Sequence, residues 1–150
     1  MTTAALIVAA GMSSRMGDFK PLLNIGSISI AQRVVATFQQ AGVEKIVMVT
    51  GYNAVMLERH LAGNGVVFLR NDNYETTQMF DSVRIGLSYL RDKCGRVLFT
   101  PVDIPLFTVW ITIGFSNDVC VPIPKVTVPC TCRIFRDHIF LAVATSTHAT

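Results

Sequence analysis

Two cations and a run of small residues share one short stretch of this chain. Arg15 and Lys20 close the segment Leu6-Ile7-Val8-Ala9-Ala10-Gly11-Met12-Ser13-Ser14-Arg15-Met16-Gly17-Asp18-Phe19-Lys20. The planar guanidinium of Arg15 suits phosphate oxygens. Lys20, a point charge on a flexible stem, can follow charge as it builds on a phosphorus centre. Ala9, Ala10 and Gly11 carry no bulk, so a planar base or a ribose can approach the main chain there. Gly11 also tolerates backbone angles that a Cβ would forbid. Ser13 and Ser14 add hydroxyl donors, and successive loop amides can form an anion nest. Glycine and serine alone would describe a plain turn with a surface Arg and Lys. With both cations in the same loop, a triphosphate site is the better expectation. The loop is neither common phosphate motif: there is no Gly-x-x-x-x-Gly-Lys-Ser/Thr, and no Gly-x-Gly-x-x-Gly opens a helix.

A carboxylate, Asp103, stands in Pro101-Val102-Asp103-Ile104-Pro105, just past an apolar run. Held there by stiff backbone, it is placed for Mg²⁺, which binds through one or two carboxylates plus substrate phosphates. The plainer alternative is a turn or helix-capping Asp. Cys130-Thr131-Cys132 and His138 match no common zinc spacing, so ordinary thiols are expected. A disulfide framework is not expected, because the first two thirds of the chain hold only Cys94.

Alternating strands and helices must position these groups. Leu6 to Ala10 is an unbroken apolar run, as in a strand covered on both faces. Ser29 and Gln32 read as a capping box, after which Ala31, Val34, Val35 and Phe38 recur at helical spacing until Gly42. Lys45–Thr50 is a second buried strand, ended by Gly51. Asn53 caps a short helix through Leu61, on which His60 is a surface residue. Val66–Leu69 is a third strand, followed by a polar loop, Asn71 to Thr77. Phe80, Val83, Leu87 and Leu90 form one face of a longer helix, and Val97–Thr100 is the fourth strand. Strands joined through helices imply parallel pairing. Ligands of such sheets bind beyond the carboxyl ends of the strands, where the three loops after Ala10, Leu69 and Thr100 converge.

Composition narrows the classes. Thirteen basic against ten acidic residues in 150 give a net charge of +3, too balanced for a nucleic-acid footprint. Hydrophobic residues are 51% and charged ones 15%, which fits one domain with a real core. No apolar run approaches a membrane span, and no positive segment precedes Ala4 to Ala10, so a cytoplasmic protein is the default expectation.

The first motif, with Lys20-Pro21-Leu22-Leu23, resembles the signature of MobA-like nucleotidyltransferases, and within them the molybdenum cofactor cytidylyltransferase group. Gln78-Met79-Phe80-Asp81-Ser82-Val83-Arg84-Ile85-Gly86-Leu87 is similar to that family's second nucleotide segment, and Val102-Asp103-Ile104-Pro105 to its acidic metal motif. The resemblance covers residues 4 to about 108. It implies a Rossmann-like three-layer α/β/α fold of the nucleotide-diphospho-sugar transferase type, with a mostly parallel sheet. It implies that Ala9, Ala10, Gly11, Ser13, Ser14, Arg15, Lys20 and Ser82 bind the nucleotide, with Ser82 facing the base. Arg15, Lys20 and Asp103 would carry catalysis, and Asp103 would hold Mg²⁺. The Ala9-Ala10 pair points toward pyrimidine users and hence CTP. The reaction implied is transfer of CMP to a phosphorylated acceptor such as the molybdenum cofactor, with pyrophosphate released.

From residue 109 no family motif continues. Residues 1–108 therefore read as the nucleotide-binding region and 109–150 as an atypical segment, truncated or frame-shifted. Asp118 and Asp137 are its only carboxylates, neither in a matching context, and 146–150 should fray. Two further functions stay open: an inactive nucleotide-binding fragment that self-associates to cover an apolar tail, and a sugar- or polyol-phosphate nucleotidyltransferase.

Overall fold

The computed structural model describes residues 2–11 and 18–105, and the backbone of two further strands at 130–133 and 142–146. Strand β1 (Thr3–Ala9) leads, past a 3-10 turn at Lys20–Leu22, into a hairpin of β2 (Asn24–Ile25) and β3 (Ile28–Ser29). Then come α1 (Ile30–Gln40), β4 (Lys45–Thr50), α2 (Ala54–His60), β5 (Val66–Arg70), α3 (Met79–Leu90) and β6 (Arg96–Pro101). Strands β7 (Cys130–Arg133) and β8 (Ala142–Ser146) complete the described elements.

The main sheet runs β5-β4-β1-β6-β8-β7. The first four strands are parallel: Ala4 to Ala9 register with Lys45 to Thr50, and Thr3 to Val8 with Arg96 to Pro101. β8 and β7 add antiparallel at the far side of β6. The chain steps outward from β1 to β4 to β5, then returns through α3 to the other side of β1. That reversal opens a crevice between the carboxyl ends of β1 and β6.

β1 serves two cores because its side chains alternate across the sheet. Ala5, Ile7 and Ala9 pack with Ala31, Val34, Val35 and Phe38 of α1, and with Leu57 and Leu61. Ala4, Leu6 and Val8 pack on the other face with Val83, Leu87 and Leu90 of α3. Helices thus cover both faces, giving three layers. Each fully buried side chain of the size of Leu6 or Phe38 contributes about 1.5–3 kcal/mol.

The sequence signals for α1 hold in atomic detail. The Gln32 backbone N–H donates to Ser29 Oγ at 3.2 Å, and the Ser29 N–H donates to Gln32 Oε1 at 3.0 Å. Gly42 ends the helix at φ +75°. Two local expectations fail. Asn53 does precede α2, but in the left-handed region at φ 53° and with no side-chain capping bond. Phe80 is 62% exposed, although Val83, Leu87 and Leu90 do pack against the sheet as expected, joined there by the buried Ser82 and Gly86. At Gly86 a Cβ would run into the Leu6 side chain, its Cδ2 only 2.8 Å away. Small residues bring this helix close to β1, a role that counting apolar residues misses.

Candidate active site

A cleft of about 240 Å³ opens where the sheet reverses direction. β1 delivers Val8, Ala9, Ala10 and Gly11 to its wall, and β6 delivers Pro101, Val102 and Asp103. The two strands stay locked beyond their paired ends, since the Val102 N–H donates to the Val8 carbonyl at 3.0 Å. That bond sets Asp103, an exposed residue, in the same cleft lining as Ala10 and Gly11. Lys20 and Pro21 enter the same wall from the 3-10 turn. Pro21 is buried and the Leu23 N–H donates to the Lys20 carbonyl at 3.0 Å, so the main chain at Lys20 is fixed, while among the described residues no hydrogen bond or ion pair holds its side chain.

The opposite wall comes from the end of β5 and the start of α3. Asn71, Tyr74, Thr77, Gln78, Met79 and Ser82 line it. Asn71 organises this wall: its N–H donates to the Thr50 carbonyl at 2.8 Å, which ties the loop to the end of β4. Its side chain bonds Thr77, Ser82 and the Asn73 backbone. Tyr74 packs so tightly on Gly51 that a Cβ there would lie 2.7 Å from the Tyr74 Cβ and 2.8 Å from the Ala10 carbonyl oxygen. Its ring stands 6.2 Å from that of Tyr52, which meets Phe19 edge-on at 5.9 Å. Burial, then the neighbouring Glu75 carboxylate, raises the Tyr74 phenol above its ordinary value.

Of the residues singled out in the sequence, Ala9, Ala10, Gly11, Lys20, Ser82 and Asp103 therefore share one cleft. Ser13, Ser14 and Arg15 lie outside the described residues. Gly11 departs from expectation in one respect: its φ is not in the left-handed region, and the space where its Cβ would stand is open. Its smallness leaves room at the cleft mouth rather than permitting a special turn. Sequence reasoning missed Asn71 and Tyr74. The Asn71-x-Asn73 spacing, which forms an Asx turn, was the available signal for the first.

The family profile of the MobA-like NTP transferase domain matches residues 5–115. This chain belongs to that family. The bifunctional protein GlmU of Staphylococcus epidermidis is 28% identical over 110 residues, which make up 72% of this chain and 24% of that protein. The chain thus spans about a quarter of the length of such curated relatives. A nucleotidyl transferase from Methanothermobacter thermautotroptrophicus superposes with a TM-score of 0.71 at 24% identity, over 77% of this chain and 57% of that one. The CTP:phosphocholine cytidylyltransferase of Streptococcus pneumoniae superposes with a TM-score of 0.61 at 19% identity, over 73% and 50%. At these identities the likeness is one of fold, and it agrees with the three-layer, mostly parallel arrangement.

The donor set at the cleft bears on the metal. Among the described residues no three His, Cys, Asp or Glu side chains gather as a metal cage. Asp103 is the one carboxylate in the described cleft wall. A single hard oxygen donor fits a cation that draws its other ligands from phosphates and water, and does not fit a closed structural zinc site.

Proposed function

We propose that this chain is a nucleotidyltransferase that moves CMP from CTP to a phosphorylated small-molecule acceptor, the molybdenum cofactor being the leading candidate. An acceptor phosphate oxygen attacks the α-phosphorus, the bond to the β-phosphate breaks, and pyrophosphate leaves. The observation that carries this reading is the convergence of Ala9–Gly11, Lys20, Ser82 and Asp103 on one cleft where the strand order reverses.

Little covalent work falls to the protein in such a transfer; positioning and charge stabilisation dominate. Ala9 and Ala10 let the nucleoside lie against the main chain. Lys20 neutralises charge on the transferring and leaving phosphates, joined in this reading by Arg15, while Ser13 and Ser14 offer hydroxyls to the phosphates. Asp103 would hold Mg²⁺, which when bound draws off phosphate charge and orients the triphosphate. The Ala9-Ala10 pair and the CTP named for the Streptococcus pneumoniae enzyme support the choice of base.

The test incubates the purified chain with each NTP, Mg²⁺ and molybdopterin cofactor, then phosphocholine and a sugar 1-phosphate as other acceptors, and reads pyrophosphate. CTP-dependent, acceptor-dependent release is expected. Release with a sugar phosphate alone would move the acceptor assignment. Saturable CTP binding without pyrophosphate from any acceptor would reduce the chain to a nucleotide-binding fragment.

A further inference from the structure

The wall formed by residues 71–82 carries a hydrogen-bond chain whose protons can be counted. Asn71 is 3% exposed and Ser82 2%. The Asn73 backbone N–H donates to Asn71 Oδ1 at 3.1 Å. A backbone N–H can only donate, so this contact decides which way the Asn71 amide faces. Asn71 Nδ2 then points at two hydroxyls, donating to Thr77 Oγ1 at 2.9 Å and to Ser82 Oγ at 3.0 Å. Both amide protons are thereby committed. Thr77 passes its own proton to the Asn73 carbonyl at 2.9 Å. Ser82 accepts from Asn71, and its hydroxyl proton meets no acceptor among the described residues. Among the described residues, then, a buried hydroxyl in the cleft wall is a donor in need of an acceptor.

The cleft also separates its chemistry by origin. Lys20 and Asp103, from the segments after β1 and β6, carry its charge; Asn71, Thr77, Gln78 and Ser82 present neutral groups. Phosphates belong with the former and a base with the latter. We propose that Asn71 is a positioning residue that sets base choice: by donating to Ser82 it holds the Ser82 hydroxyl as a donor toward the cleft. That donor pairs with the acceptor N3 of cytosine, whereas accepting the N3–H of uracil on the remaining lone pair would leave the buried Ser82 proton without an acceptor. The inference rests on the nucleotide reading above, in which Ser82 faces the base, and adds the group that orients Ser82.

Equilibrium binding tests it without requiring turnover. Dissociation constants for CTP, UTP and 3-deaza-CTP, in which carbon replaces N3, are measured by calorimetry with Mg²⁺ on the intact chain. The wild type should favour CTP over each of the other two by about tenfold, the scale of one well-made hydrogen bond. Asn71→Asp keeps the size and the Oδ1 acceptor but replaces the amide donor with an oxygen, which draws the Ser82 proton away from the cleft. Its CTP-to-UTP ratio should fall to about one, whereas a merely structural lesion would weaken all three ligands together. Ser82→Ala should likewise lose discrimination against 3-deaza-CTP, which keeps the test open if the Asn71→Asp chain fails to fold. Equal wild-type affinity for CTP and 3-deaza-CTP overturns the inference, as does an Asn71→Asp chain that retains the wild-type ratio. Absence of all nucleotide binding overturns both this inference and the function it rests on. Discrimination without pyrophosphate release supports the inference while defeating transfer.

Discussion

Lys20 is held by its main chain, and among the described residues nothing holds its tip. Its carbonyl is engaged by Leu23 and the next residue is a buried proline, and among the described residues no carboxylate pairs with its ammonium. A cation so placed can follow charge from ground state to transition state, which is the behaviour that raises turnover rather than affinity. Lys20→Ala is therefore expected to lower the rate of pyrophosphate release by about 10²–10³-fold while changing the CTP dissociation constant by only a few fold. Comparable losses in rate and affinity would assign Lys20 to ground-state binding instead. Lys20 and Asp103 were legible in the sequence because their residue types announce phosphate and metal chemistry. Asn71 was not, because its importance lies in bonds to Thr77 and Ser82 that a polar loop does not advertise.

Among the elements, α3 shows most clearly where sequence pattern and packing part company. A face counted by apolar side chains includes Phe80, yet the helix turns Phe80 to solvent and seats Ser82 and Gly86 against the sheet. The strands were easier to read, since a strand buried on both faces is a continuous apolar run. Gly86→Ala should destabilise the fold by about 1–3 kcal/mol in denaturant unfolding, because the added methyl overlaps Leu6. Leu6→Ala alone should cost about 2–5 kcal/mol. The double variant should cost less than the sum of the two, and strict additivity would show that the helix shifts away instead of clashing. A second contact ties α2 to the end of β5. Arg70 Nε and Nη2 donate to the Glu58 carboxylate at 2.9 and 2.7 Å. These bonds hold the Glu58 carboxyl below its ordinary value, against the opposing effect of desolvation. A carboxyl more acidic in the folded than in the unfolded chain adds stability above the ordinary carboxylate range and loses it as pH falls through the folded value. Glu58→Gln should flatten the acid side of a melting-temperature profile. The effect should be modest and salt-sensitive, because half of the Arg70 side chain is exposed.

At the scale of the whole molecule, the order β5-β4-β1-β6 does what no single motif does. It takes the ends of three strands that are far apart in sequence and sets them around one crevice. Strand-helix alternation predicts parallel strands, but not which strand lies beside which; that follows only when α3 carries the chain back past β1. The antiparallel addition of β8 and β7 is not legible in the sequence, because residues 109–150 show no strand-helix alternation to read. A site assembled from separate strand ends links ligand binding to global stability, since the walls exist together only in the folded chain. A ligand at a hundred times its dissociation constant stabilises such a protein by about 2.7 kcal/mol. For a chain of this size that raises the melting temperature by roughly 5–10 °C. CTP with Mg²⁺ should give a shift of that order, and chelating the metal should reduce it. Asp103→Asn should leave the shift with CTP alone unchanged while abolishing the increment that Mg²⁺ adds. If the variant still responds to Mg²⁺ as the wild type does, the cation is held by other groups, and Asp103 is only the turn residue that its position before Pro105 would also allow.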